Sequence, residues 1–177
     1  MKKPTLPILI TTLCSLVLAT CSTPAAASGA TAPREAPVES GRDACPVTQP
    51  PAEPFIPPGP WPESYPYLGR VWYGSPGLWT ALPEGGEWRQ LAHGDKFWWW
   101  SEEFDVEEDT TPNLVVTALR LDGKAAEFRT DHATNGYHKD FHWAMLVGVT
   151  VDSPGCWEIT GEYNGHSLTL VVWVPGE

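Results

Sequence analysis

The chain has 177 residues, of which 22 are acidic and 11 basic. If residues 1–20 are removed as a signal peptide, 9 basic residues remain and the net charge is 9 − 22 = −13. Such a field repels phosphate backbones and anionic lipid headgroups, so the composition excludes nucleic acid as a partner. The remaining length is enough for one domain with a hydrophobic core, but not comfortably for two.

The first 20 residues have the features of a signal peptide. A basic start, Met1-Lys2-Lys3, precedes an apolar stretch over residues 6–19 that is too short to span a bilayer. The stretch ends in Leu18-Ala19-Thr20-Cys21, which resembles the motif where a bacterial peptidase cuts before a lipid-modified cysteine. We therefore predict lipidation of Cys21 and a membrane contact through the lipid anchor, on the outside of the cytoplasm. The alternative is cleavage near residues 25–27, which would release a secreted protein.

Two further segments follow the predicted signal peptide. Residues 21–44 are rich in Ala, Pro, Ser, Thr and Gly without periodicity, which predicts a disordered linker. Residues 45–177 are the predicted folded domain. Its first part, residues 45–66, interleaves prolines with aromatic residues, which favours an extended arm lying against the domain.

The folded domain contains many short runs of β-branched and aromatic residues bounded by turn residues. The runs predicted as strands are RVWYG, GLWTALP, GEWRQL, DKFWWW, NLVVTALRL, AEFRT, HWAMLVGVTV and the two strands of the C-terminal hairpin. Asp122-Gly123 is expected to form a tight turn after NLVVTALRL. Seven to nine such strands predict an all-β, immunoglobulin-like two-sheet sandwich, with a small closed barrel as the alternative.

The C-terminal hairpin can be predicted to the register. Asn164-Gly165 between two alternating runs is typical of a two-residue type I′ turn. This turn pairs Tyr163 with His166, and the large apolar residues of both strands then share one face. Further along, it places Cys156 opposite Trp173 on the other face.

The cysteines predict one disulfide. Cys14 lies in the predicted signal peptide and Cys21 is assigned to lipidation, so Cys45 and Cys156 remain. In an oxidising compartment such a pair is expected to be bonded. The bond would hold the proline-rich arm across the outer face of the hairpin, beside Trp173.

The hairpin also carries a resemblance to a protein group. Its SPGCWEITGEYNGHSLTLVVWV segment, together with CPVTQPP, LWTALP, KFWWW and TALRLDG, resembles a group of bacterial lipoproteins and secreted proteins without an assigned activity. The resemblance implies an immunoglobulin-like domain and a place outside the cytoplasm. It implies no catalytic residues and no cofactor.

Two polar segments contain residue types that can bind metal ions. His138 and His142 are candidate ligands within TDHATNGYHKDFHW, but on a continuous strand they would lie about 13 Å apart, too far for one ion. We therefore expect an exposed polar loop there and no metal. The acidic run SEEFDVEEDT lacks the spacing and glycine of a calcium loop, so it is interpreted as a solvated loop.

The aromatic run Phe97-Trp98-Trp99-Trp100 gives the one candidate binding face. On a strand, Trp98 and Trp100 point to one side, and Phe97 and Trp99 to the other. The Trp98 and Trp100 face is either covered by the proline-rich arm or open to a glycan or protein partner.

The sequence thus favours a non-catalytic β-sandwich module that is envelope-anchored or secreted and binds an envelope protein or a glycan. Motifs for a serine nucleophile and for phosphate binding are absent from the sequence. The alternative is a small hydrolase acting on cell-wall or polysaccharide substrates, for which no catalytic pair can be named.

Overall fold

A computed structural model describes residues 41–53, 55–59 and 70–176, all of them within the compact unit Val38–Glu177. The described residues form three short 3₁₀ turns, at Arg42–Ala44, Glu84–Gly86 and Arg89–His93. They also form nine strands: β1 (Arg70–Ser75), β2 (Leu78–Pro83), β3 (Asp95–Trp100), β4 (Val115–Arg120), β5 (Phe128–Thr130), β6 (Thr134–His138), β7 (His142–Val149), β8 (Gly155–Tyr163) and β9 (His166–Val174).

The strands form two antiparallel sheets. One sheet has the order β1-β2-β3-β7-β6 and the other β5-β4-β8-β9. In an immunoglobulin domain, strands A-B-E-D form one sheet, and C-F-G, extended by C′, form the other. The orders β2-β3-β7-β6 and β5-β4-β8-β9 follow this arrangement, with β1 as an added edge strand. The predicted immunoglobulin-like sandwich is therefore confirmed, and the strands form two separate sheets instead of one closed barrel.

The C-terminal hairpin has the predicted register. Tyr163 pairs with His166 and Cys156 with Trp173. Asn164 and Gly165 have φ angles of 48° and 82°, the left-handed values that a type I′ turn requires. The turn chemistry therefore fixes which residues of β8 and β9 enter the core.

The main core lies between the sheets and includes Phe97 and Trp99 of β3, both fully buried. Trp99 lies directly over Gly161 of β8, because a Cβ atom at that position would be 2.6 Å from the indole ring carbons. Gly161 therefore leaves the room that the largest side chain of β3 needs.

A second cluster covers the outer face of the five-stranded sheet. It contains Trp72, Trp79, Ala81, Trp100, Phe141 and Ala144, with Phe55 and Trp98 packed against it. Every residue of β2 is buried, since this strand has one cluster on each side. The aromatic run of β3 is thus explained by a sheet that packs on both faces.

Three predictions about local structure were wrong. The GEWRQL run, residues 86–91, is not a strand: its last three residues begin the 3₁₀ turn Arg89–His93, and the indole of Trp88 stacks on Phe97 at 3.9 Å. The segment expected to be a polar loop contains β6, where Gly136 accommodates the ring of Trp98. Asp122-Gly123 is not a two-residue hairpin turn, because β4 ends at Arg120 and β5 begins only at Phe128.

Candidate functional site

Cys45 and Cys156 form a disulfide, as the sequence predicted, with their Cα atoms 5.5 Å apart. Both cysteines are buried, and Cys156 pairs with Trp173 across the hairpin. The bond therefore joins the start of the proline-rich arm to the start of β8. The other cysteine with a predicted role, Cys21, lies outside the described residues.

The arm also hydrogen-bonds the edge of β9. The Thr48 amide donates to the Val171 carbonyl at 2.9 Å, and the Val171 amide donates to Thr48 Oγ1 at 2.7 Å. Further along the arm, the Phe55 ring lies 5.5 Å from that of Trp79 in the outer cluster. The arm thus contacts both sheets, and its predicted continuation over residues 60–66 lies outside the described ranges.

The predicted aromatic face at Trp98 and Trp100 is mainly a packing surface. Trp100 is only 3% exposed and makes edge contacts of 5.1 Å with both Trp72 and Phe141. Trp98 is half-buried, and its ring lies 4.8 Å from Phe141. The two side chains therefore do not form an open platform.

His138 and His142 face each other across the β6–β7 hairpin. The separation calculated for a continuous strand does not apply, because the chain turns at residues 139–141. His138 stacks on Phe141 at 4.5 Å, and its Nδ1 accepts a hydrogen bond from the Asp140 amide. Among the residues that the structure describes, no group of three or more His, Cys, Asp or Glu side chains could hold a metal ion.

The acidic run is a loop, and two of its carboxylates connect it to the rest of the domain. Glu103 lies 3.1 Å from His166 on β9, and Asp109 accepts a hydrogen bond from the Tyr163 hydroxyl. Burial, together with this hydrogen bond, raises the pKa of Tyr163 well above its usual value, so the phenol stays a donor. The Asp109 carbonyl also accepts a hydrogen bond from Asn135 Nδ2 at 2.8 Å.

Sequence reasoning missed the two large aromatic side chains that are most exposed among the described residues. Tyr137 on β6 is 58% exposed and Trp143 on β7 is 46% exposed. They are cross-strand partners, and their rings lie 5.3 Å apart at an angle of 63°. The near-symmetric order Tyr-His-Lys-Asp-Phe-His-Trp around the turn is the signal that could have indicated this pair.

Comparisons with models of known protein families, with characterised proteins and with solved structures find no match. Within the described part of the chain, no helix has the length and apolar character needed to cross a membrane.

Proposed function

We propose that this protein is a non-catalytic β-sandwich module, envelope-anchored or secreted, that binds a protein or glycan partner outside the cytoplasm. The disulfide between Cys45 and Cys156 is the observation that supports this proposal most directly, because structural disulfides persist in oxidising compartments. A cysteine at the end of an apolar leader, Cys21, adds support for a lipid anchor. The resemblance to bacterial lipoproteins and secreted proteins also supports a location outside the cytoplasm.

Binding is favoured over catalysis because three partly buried carboxylates, those of Asp95, Asp109 and Asp122, are engaged in structural hydrogen bonds. Asp95 accepts from both Arg70 and the indole of Trp88. Asp109 accepts from Tyr163, and Asp122 accepts from Arg120 Nε. Hydrolysis of a polysaccharide canonically uses a pair of carboxyl groups directed at the substrate, whereas these three are directed at other groups of the protein.

The location is tested by substitution of Cys21. In a bacterial host, the wild-type protein should be processed and should partition with the membrane fraction in detergent. Cys21→Ala should block processing by the lipoprotein peptidase and change this partition. Cys14→Ala is the matched control, since that residue lies inside the predicted leader and should leave processing unchanged. Identical partition of wild type and Cys21→Ala would favour the secretory alternative.

The non-catalytic role is tested with the full mature protein. It should bind a component of isolated cell envelopes, either a protein or a glycan, and should release no product from peptidoglycan or polysaccharide substrates. Time-dependent release of products, monitored by chromatography, would show that the protein is a hydrolase and would overturn the proposal.

A further inference from the structure

We infer that Tyr137 and Trp143 form a stacking site for a neutral pyranose ring of a saccharide. This inference rests on the proposed function and specifies its ligand class. The other large hydrophobic side chains with high exposure, Ile56, Leu119 and Leu121, are aliphatic. Among the described residues, Tyr137 and Trp143 are therefore the large aromatic side chains with high exposure, and they are cross-strand partners.

The two rings lie side by side because of the strand register. Every second side chain of a strand points to the same face, so residues 143, 145 and 147 of β7 share one face. On this face, Met145 and Val147 are buried in the core. Trp143 points to the same face but lies at the start of β7, where its side chain is exposed. Tyr137 is its cross-strand partner and so lies on the same face.

The turn beside the pair has an unusual backbone. His142 has a φ of 55°, in the left-handed region that favours glycine. A residue with a Cβ atom is disfavoured in this conformation, and short hairpin loops commonly place glycine there. The His142 ring stacks on Tyr137 at 6.1 Å, so the conformation adds a third ring to the pair. Strained residues of this kind cluster at binding sites.

The chemistry of the pair matches a sugar. The faces of aromatic rings carry negative potential, and the C–H groups on one side of a pyranose present the complementary positive surface. The Tyr137 hydroxyl can donate and accept a hydrogen bond, and the Trp143 indole N–H can donate one. Both groups can therefore pair with the hydroxyl groups of a sugar that stacks on the rings.

The surroundings of the rings and the charge of the chain argue against a protein partner and against a polyanion at this site. Lys139 and Asp140, in the turn beside the rings, are exposed polar residues, whereas a stable protein interface needs an apolar centre within about 800 Å² per partner. The excess of 22 acidic over 11 basic residues in the chain repels polyanions such as sulfated glycans. A neutral saccharide satisfies both constraints.

The test is calorimetric titration of the full mature protein with cellopentaose, maltopentaose and chitopentaose, and with heparin as the polyanionic comparison. At least one neutral probe should bind. Tyr137→Ala and Trp143→Ala should each weaken that binding about tenfold or more, since each variant removes one of the two rings on which the sugar stacks. Trp143→Phe should retain part of the affinity. Leu119→Ala, which truncates another side chain of similar exposure, should leave it unchanged.

Thermal unfolding by circular dichroism would establish that each variant is folded. The inference would be overturned if no neutral probe bound the wild type, if only heparin bound, or if folded Tyr137→Ala and Trp143→Ala bound as tightly as wild type. Binding of an envelope component that these substitutions leave intact would overturn this inference and keep the proposed function. Product release from a saccharide would overturn the proposed function itself.

Discussion

The two hairpins β8–β9 and β6–β7 both reverse the chain in a short turn, but they use different residues at the left-handed positions of that turn. The first turns at Asn164-Gly165, residues that accept left-handed backbone angles readily. The second turns at residues 139–141 and places His142 in the left-handed region. The first hairpin supplies the core with Trp157, Ile159 and Leu170, whereas the second exposes Tyr137 and Trp143 at its end.

This difference separates a hairpin that stabilises the fold from one that presents side chains to solvent. In β8–β9, turn chemistry, register and burial agree, so each local preference supports the same structure. In β6–β7, a costly backbone angle and two exposed large rings coincide. Disagreements of this kind are expected at functional sites.

Asp109 connects the two hairpins. Its carboxylate accepts a hydrogen bond from Tyr163 at the end of β8, and its carbonyl accepts one from Asn135 on β6. The acidic loop is therefore a structural connection between the stabilising hairpin and the presenting one. Substitutions that weaken one hairpin without the other should test this division.

The largest effect is expected from removal of the disulfide. The bond closes a loop with a sequence separation of 111 residues, so Cys45→Ser with Cys156→Ser should lower the free energy of unfolding by about 2–5 kcal/mol. Urea unfolding of the mature protein would measure it, and limited proteolysis should cut the arm between residues 45 and 59 before the core unfolds. Reduced wild type is the control and should behave like the double variant. Equal stability with and without the bond would contradict this prediction.

The next largest loss of stability is expected at a glycine of the β8–β9 hairpin, with a glycine of the β6–β7 hairpin as the comparison. Gly161→Ala on β8 places a methyl group against Trp99 in the buried core and should destabilise the domain by about 2–3 kcal/mol. Gly148→Ala on β7 is the matched control, because nothing lies within 4 Å of its Cβ position. Thermal unfolding would measure both. A cost at Gly148 as large as that at Gly161 would show that the effect is not one of packing.

A smaller, pH-dependent effect is expected at the connection between the hairpins. Tyr163→Phe should cost about 1.5 kcal/mol at neutral pH through loss of the hydrogen bond to Asp109. The raised pKa of Tyr163 means that above about pH 10 the unfolded phenol ionises before the folded one, which lowers wild-type stability. Tyr163→Phe lacks this loss, so the stability difference between wild type and variant should narrow as pH rises from about 10.

Urea unfolding at pH 8 and at pH 10.5 would measure that narrowing. Asp109→Asn keeps the shape of the partner but removes its charge, so the stability of this variant should decrease less than that of the wild type between pH 8 and pH 10.5. A difference between wild type and Tyr163→Phe that stays constant with pH would show that Tyr163 ionises equally in both states.

The sequence predicted the sandwich, the C-terminal register and the disulfide because those features depend on local turn chemistry and on few cysteines. It did not predict β6, since Asn135 and Gly136 are poor strand formers and the strand exists through pairing with β7. The sequence left open whether Trp100 is covered or exposed, because its burial depends on Phe141, a residue from a turn 41 positions later.

The smallest effect on stability is expected at Asn164 and His142, the two non-glycine residues with left-handed backbone angles in the part of the chain that the structure describes. Asn164→Ala should cost about 1 kcal/mol, because alanine accepts this region less readily than asparagine. His142→Gly relieves the same strain while adding some freedom to the unfolded chain, so it should raise stability by a few tenths of a kcal/mol. Urea unfolding of both variants should therefore give changes of opposite sign. A clear loss of stability in His142→Gly would mean that the imidazole itself holds the β6–β7 hairpin together, and the contrast between a stabilising and a presenting hairpin would not stand.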